Sequence, residues 1–158
     1  MIPPRVEFVL ISAALAFVLA LLAYVILLGG VDTAQWGRSG WESMKVTPAA
    51  LIATLFGAWW TTVWHRRALQ KGRRWTSGGF TLRTLLLAFT CFPLVLTIWF
   101  GGMSLVDETG GGLAWVVPAA LLFTGFAIVL GAVPAFILEY FVCRRYLKRT
   151  AAITTGSA

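Results

Sequence analysis

Residues 8–28 read FVLISAALAFVLALLAYVILL, an unbroken run without a charged side chain. A helix needs about 17 to 25 predominantly apolar residues to cross a hydrocarbon core of roughly 30 Å. Three further runs meet this requirement, at residues 48–64, 84–106 and 113–142. The sequence therefore predicts an all-α integral membrane protein whose four transmembrane helices form one domain over residues 1–149. Residues 150–158 are small or polar and are predicted to form a disordered tail.

The composition agrees with this interpretation. Of the 158 residues, 59% are hydrophobic and 12% are charged, whereas a soluble domain carries about a quarter charged residues. The apolar residues form continuous blocks instead of an amphipathic pattern. The four blocks leave no room for a separate soluble domain.

The basic residues predict the orientation. Lys and Arg concentrate in the cytoplasmic loops of membrane proteins. With the N-terminus inside, eleven of the thirteen basic residues are cytoplasmic: Arg5, six within residues 65–83 and four after residue 142. Only Arg38 and Lys45 are then outside. We therefore expect both termini to be cytoplasmic, in a bacterial inner (plasma) membrane.

Small residues at four-residue spacing form ridges on two of the predicted spans. Such ridges allow the backbones of membrane helices to approach closely. They predict that the second and fourth spans contact each other, although Ala and Gly are also common in membrane helices for other reasons. The ridge residues are Ala49, Ala53, Gly57 and Thr61 in the second span, and Ala127, Gly131 and Ala135 in the fourth.

Glu139 is the one acidic residue within the four apolar runs. An ionisable group inside a membrane is costly, by about 2.5–3.5 kcal/mol at the centre of a span, and therefore marks a candidate functional site. One interpretation is a structural carboxylate that pairs with Arg83, Arg66 or Arg144 or reaches the membrane surface. The other is a site for a proton or a substrate.

Four other polar residues are candidates of a weaker kind. Thr90 and Thr97 lie on one face of the third span, where they could line a polar path or bond to their own helix backbone. Glu7 is expected to complement the N-terminus of the first helix. His65 is expected at the membrane interface.

The segment at residues 65–83 is strongly basic and contains no acid. Clustered Lys and Arg beside a span attract anionic lipid headgroups, and Trp75 and Phe80 are expected to dip into the interface. The segment could instead dock a partner protein or serve only as the orientation signal. Its candidate binding residues are Arg66, Arg67, Lys71, Arg73, Arg74 and Trp75. On the opposite side, residues 29–47 are expected to fold back on the membrane or to form a recognition surface.

Several classes of function are disfavoured. One histidine and two cysteines at different depths, Cys91 and Cys143, provide neither a haem site, nor a metal site, nor a disulfide framework. The sequence contains no catalytic or phosphate-binding motif, so we expect no enzyme and no cofactor. The basic residues flank apolar runs, which makes anionic lipid a better partner than nucleic acid.

Three functions remain. The preferred hypothesis is a small membrane protein that interacts laterally with another membrane protein, as an accessory subunit, a stabilising partner or an immunity- or inhibitor-type protein. The second is a small transporter or channel that works as an oligomer. The third is a protein that binds anionic lipid through its basic segment.

Overall fold

The computed structural model of the chain describes residues 3–29, 36–106 and 113–156, and these ranges contain helices and turns but no strand. Each of the four long helices contains a stretch that is long and apolar enough to cross a membrane. The prediction of an all-α protein with four membrane-length helices is confirmed. The helices are α1 (Pro4–Gly29), α2 (Trp36–Gln70), α3 (Ser77–Val106) and α4 (Val116–Gly156), the last preceded by a short 3₁₀ turn at Leu113–Trp115.

Local sequence signals define the turn between α2 and α3. Gly72 has a φ of 69°, a left-handed conformation that glycine adopts at little cost. The Arg73 N–H returns to the Ala68 carbonyl at 2.9 Å and closes the end of α2. Thr76 then caps α3, because its Oγ1 accepts a hydrogen bond from the Gly79 N–H at 3.2 Å. The basic connection is therefore a turn at residues 71–76, shorter than the predicted loop.

The helices extend beyond the predicted spans. α2 begins at Trp36, so Pro48 lies inside the helix and not in its first turn. α4 continues to Gly156, where the sequence predicted a disordered tail from residue 150. The physical reason is that hydropathy marks only the part of a helix within hydrocarbon, whereas backbone hydrogen bonding continues into the polar region. The predicted loop residues 30–35 and 107–112 lie outside the described ranges.

The four helices form a ring. α1 packs against α2 and α4, and α3 packs against the same two neighbours. α2 and α4 consequently lie at opposite corners of the bundle. The prediction that their small-residue ridges contact each other is wrong, because the ring order places α1 and α3 between the two helices.

The ridge of α2 packs closely against α3. Ala49, Ala53 and Thr61 are buried. At Gly57 the approach is closest, because a Cβ added there would lie 2.9 Å from the backbone nitrogen of Ala88. No side chain larger than hydrogen fits at Gly57 without movement of α3.

The ridge of α4 has a different environment. Ala127, Gly131 and Ala135 are only partly buried and line a cavity inside the bundle. A Cβ added at Gly131 would meet no atom within 4 Å. The small residues of α4 therefore line open space, whereas Gly57 of α2 lies in close contact with α3.

Two clusters of buried apolar side chains lie on either side of this cavity along the length of the helices. The cluster that we name the basic-end cluster lies where the basic helix ends converge. The far-end cluster lies beyond the cavity. The basic-end cluster consists of Phe8, Val9, Ala58, Phe80, Cys143 and Tyr146. The far-end cluster consists of Val46, Ala49, Ala53, Phe92, Leu96, Phe100, Val116 and Ala120.

The outer surface is rich in large apolar side chains, as expected of a surface that meets lipid. Ile98 of α3 and Val129 of α4 are 77% and 78% exposed. On α2, Phe56, Trp60 and Trp64 are exposed and pack ring on ring along the helix. This distribution suits helices that are solvated by hydrocarbon on the outside.

Candidate functional site

Glu139 lies inside the bundle and is 3% exposed. Its Oε1 accepts a hydrogen bond of 2.7 Å from the Ser12 hydroxyl of α1. The Cys143 thiol, one helical turn further along α4, lies 3.9 Å from the same oxygen. α4 therefore carries the carboxyl group and the thiol on one face, and α1 supplies the hydroxyl.

The basic partner expected for Glu139 is not present among the described residues. Arg83 lies over the Trp75 ring at 4.2 Å from its centroid, and Arg66 and Arg144 are exposed. The carboxyl group also does not reach the surface of the bundle, since its side chain is 3% exposed. The interpretation of Glu139 as a structural carboxylate that pairs with an arginine or reaches the surface is therefore wrong.

The helix geometry gives the depth of this carboxyl group. Ser12 follows Arg5 by seven residues on α1, which corresponds to about 10 Å at a rise of about 1.5 Å per residue. Glu139 precedes Arg144 on α4 by five residues, which corresponds to about 7–8 Å at the same rise. The Ser12–Glu139 pair therefore lies well inside the bundle, beyond the level of the basic helix ends.

A cavity of about 100 Å³ extends from this pair into the bundle. Residues of all four helices line it, and Glu139, Ser12 and Thr84 lie at its polar end. Its wall is built mainly from small and apolar side chains. Representative wall residues are Ala16 and Ala20 of α1, Ala53 of α2, Ala88 of α3, and Ala127 and Gly131 of α4.

Most hydroxyl groups near the polar end of the cavity donate hydrogen bonds to backbone carbonyls. The Thr84 hydroxyl donates to the Phe80 carbonyl at 3.1 Å, and the Thr81 hydroxyl donates to the Ser77 carbonyl at 2.9 Å. Ser12 is the exception, because it bonds to a side chain of another helix. Ser12 and Glu139 are therefore the polar groups that the fold brings together across the bundle.

Aromatic rings separate the Ser12–Glu139 pair from the basic helix ends. Phe8 and Phe80 meet edge to face, with 5.4 Å between ring centroids. His65 lies 5.2 Å from Phe80 and 5.8 Å from Tyr146. Phe80 has no exposed surface. These rings close the cavity on the side of the basic residues.

His65 and Phe80 are predicted at the membrane interface, and the structure places both side chains inside the bundle. His65 is 3% exposed, and its Nδ1 has no hydrogen-bond partner in the described part of the chain. The reason is that α2 and α3 continue past the apolar runs, so residues near the predicted span ends face the interior. Trp75 is half-buried beside His65, with 5.5 Å between the rings.

Charged residues at the start of α1 make contacts that the sequence did not reveal. The Arg5 guanidinium lies 3.5 Å from the centroid of the Trp59 ring and donates from Nε to the Thr62 hydroxyl at 2.9 Å. Glu7 lies in the first turn of α1, as predicted. It also forms ion pairs with Arg145, at 2.8 Å, and with Arg149.

The other sequence candidates lie outside the cavity. The Thr90 hydroxyl donates to the Leu86 carbonyl at 2.7 Å, and Thr97 donates to the Pro93 carbonyl at 2.8 Å. Neither residue lines the cavity. Both hydroxyls bond to backbone carbonyls of their own helix. The side chains of Arg66, Arg67, Lys71, Arg73 and Arg74 are exposed near the turn between α2 and α3.

Sequence reasoning found Glu139 but missed Ser12. One signal was available, because Ser12 is the one hydroxyl of its apolar run that lies near the N-terminal end of the first span. Ser12 lies seven residues from Arg5, and Glu139 lies five residues from Arg144, so both polar residues are one to two helical turns from the basic helix ends. Matching polar residues by depth across spans would have paired them.

The described residues contain no group of three or more His, Cys, Asp and Glu side chains that could hold a metal ion. Neither family models, nor curated proteins, nor solved structures gave a match to this chain. The Ser12–Glu139 pair and its cavity are therefore the features of this chain that bear on its function.

Proposed function

We propose that this chain is a multi-pass membrane protein that binds a small lipophilic amine within its helix bundle. The observation that carries the proposal is the buried carboxyl group of Glu139 at the polar end of a cavity with apolar walls. Apolar cavities with few convergent polar groups are the usual form of small-molecule sites. No enzymatic step is proposed.

The chemistry of the polar end favours an amine. A carboxylate buried without a cationic partner is costly in a medium of low polarity. An ammonium group that enters the cavity supplies that partner and donates hydrogen bonds to the carboxylate. The Ser12 hydroxyl already holds Oε1 in place, so the acceptor is oriented before the ligand arrives.

The size of the cavity limits the ligand. A cavity of about 150 Å³ with apolar walls accommodates benzene, and this cavity measures about 100 Å³. A short alkyl amine, or the amino end of a longer molecule that extends between the helices, matches this volume. Bulky ring systems do not.

The membrane orientation belongs to the same proposal. Contacts such as Glu7 with Arg145, and Arg5 with Thr62, bring the basic ends of three helices to one end of the bundle. The positive-inside rule assigns that end to the cytoplasm. The chain is accordingly proposed to lie in a bacterial inner membrane with both termini in the cytoplasm.

The decisive experiment measures binding of n-butylamine to the purified protein in nanodiscs by ligand-observed NMR. Glu139→Gln removes the charge and keeps the shape, so we expect it to weaken amine binding by about tenfold or more, because a charge-assisted hydrogen bond contributes about 1.5–3 kcal/mol. n-Butanol, which has the same chain and no charge, should be much less sensitive to this substitution.

A matched pair of variants locates the ligand. Ala127→Leu fills the cavity and should abolish amine binding. Val129→Leu, on the 78% exposed outer face of the same helix, should leave binding unchanged. Equal binding by the wild type, Glu139→Gln and Ala127→Leu would show that the cavity is not the site. Amine flux in proteoliposomes then extends the test to transport, the second function that the sequence raised.

The second candidate is lateral interaction with another membrane protein, the function that the sequence favoured. It has one supporting observation, the exposure of α4. Only 6% of the most apolar stretch of α4 is buried inside the bundle, compared with 44% for α2. Co-purification in mild detergent tests it. A stoichiometric partner that is lost on substitution of Val133→Arg, but not of Ile98→Arg on α3, would support an interface on α4.

The exposed basic residues near the turn between α2 and α3 support the proposal of an anionic lipid surface at the same end. Each Lys or Arg near such a surface contributes about 1 kcal/mol of attraction. This surface is compatible with either candidate function and does not distinguish them.

A further inference from the structure

A second cavity, distinct from the amine site, lies between α1 and α4 at the basic end. It is a groove of about 240 Å³. Its apolar lining includes Ile11 of α1 and Phe141 and Val142 of α4. Its charged lining consists of Glu7 of α1 and of Arg145 and Arg149 of α4.

Both walls of the groove change from apolar to charged in the same direction. On α4, Phe141 and Val142 are followed one turn later by Arg145 and then by Arg149. On α1, Ile11 lies one turn deeper than Glu7. An amphiphile has this order of acyl chain and headgroup when it stands in one leaflet of a membrane.

The charges in the groove favour an anion. Two guanidinium groups face the single carboxylate of Glu7, which leaves one positive charge in excess. Each guanidinium has five N–H donors, and an ion pair with Glu7 does not use all of them. The side chain of Arg145 is 66% exposed and that of Arg149 is 37% exposed, so a headgroup can reach both.

We propose that this groove binds an anionic phospholipid of the leaflet at the basic end. The phosphate accepts hydrogen bonds from Arg145 and Arg149, and one acyl chain lies along Ile11 and Phe141. The Glu7 carboxylate competes with the phosphate for the two guanidinium groups. The site is independent of the proposed amine cavity. It differs from the basic turn between α2 and α3, because the groove combines charged side chains for a headgroup with apolar side chains for an acyl chain.

The test is native mass spectrometry of the full chain released from nanodiscs that contain phosphatidylethanolamine and phosphatidylglycerol in equal amounts. The wild type is expected to retain phosphatidylglycerol. The double variant Arg145→Gln/Arg149→Gln should retain about tenfold less, because it removes two charges that each favour anionic lipid. Circular dichroism confirms that the variant remains helical.

The control is Arg144→Gln/Lys148→Gln, which removes the same charge from the same turns of α4. Both residues are exposed and do not line the groove, so the control should retain lipid as the wild type does. Equal loss in the two double variants would mean a diffuse charge effect and would overturn the proposal. Wild-type retention by Arg145→Gln/Arg149→Gln would overturn it as well.

Two further arms keep the proposal testable if the double variant does not fold. Glu7→Gln keeps both guanidinium groups and removes the competing carboxylate, so it should increase phosphatidylglycerol retention. A decrease would contradict the proposed role of the groove. Glycerol phosphate, which has the charge but no acyl chain, should not displace the lipid. If it does, the site is one for a free phosphate group and the lipid proposal fails.

Discussion

The basic-end cluster and the cavity are adjacent layers of one helix bundle, and they are built in opposite ways. The basic-end cluster uses the rings of Phe8, Phe80 and Tyr146, from α1, α3 and α4, and the His65 ring of α2 packs against it. The cavity layer uses alanine on all four helices and glycine on α4. Both layers are mainly apolar, so hydrophobicity does not distinguish them. The volume of the side chains determines which layer is filled and which contains a cavity.

Large side chains lie on both sides of the alanine layer. Phe92, Leu96 and Phe100 of the far-end cluster are buried on the other side of the cavity. The small side chains between these layers leave part of the interior unfilled. Since atoms that face a void lose their packing partners, the cavity costs stability. A site for a ligand is one way in which that cost is offset.

The largest effect is expected from Phe80→Ala, which removes the central ring of the basic-end cluster. Phe80 has no exposed surface, and a buried Phe replaced by Ala costs about 3–5 kcal/mol of unfolding free energy. Titration with SDS in mixed micelles measures this quantity. Phe56→Ala is the control, since Phe56 is 49% exposed on the outer face of the bundle and should cost less than about 1 kcal/mol. Similar costs at the two positions would mean that the ring layer is not the closed layer.

A smaller effect separates the two glycines of the small-residue ridges. Gly57→Ala should cost about 1–3 kcal/mol of unfolding free energy by overpacking, because the new Cβ meets the backbone of Ala88 at 2.9 Å. Gly131→Ala adds its Cβ to open space and should be neutral or stabilising by up to about 1 kcal/mol through helix propensity. The same titration measures both. A larger cost at Gly131 than at Gly57 would reverse the assignment of contact and cavity.

These glycines also show how much of the structure the sequence can predict. The four membrane-length helices follow from hydropathy alone, because the bilayer demands apolar residues over a known length. The spacing of small residues singled out Gly57, which the structure places in close contact with Ala88 of α3. It could not say which helix packs there, because ridges on α2 and α4 look alike in sequence while the ring order of the helices is a property of the whole bundle.

One of the two residues of the candidate site was predictable from the sequence. Glu139 stands out because a carboxylate in an apolar run is rare and costly. Ser12 does not stand out, because serine is tolerated in any membrane helix and gains meaning only from the residue opposite. His65 was assigned to the interface for a similar reason, since hydropathy ends where hydrocarbon ends and does not record that α2 remains packed beyond that level.

The smallest effect in this series tests the link between Ser12 and Glu139. Ser12→Ala removes the donor to Oε1, and hydrogen bonds between membrane helices contribute about 0.6–2 kcal/mol. Ser104→Ala is the matched control, because the Ser104 hydroxyl bonds to the Gly101 carbonyl of its own helix at 2.9 Å and should change the unfolding free energy by no more than about 0.5 kcal/mol. In addition, Ser12→Ala should weaken butylamine binding less than Glu139→Gln does, because it disturbs the orientation of the acceptor and keeps its charge. If Ser12→Ala weakens binding as strongly as Glu139→Gln, the hydroxyl contacts the ligand directly. The assignment of Ser12 to orienting the acceptor, and of Glu139 to binding the amine, is then wrong.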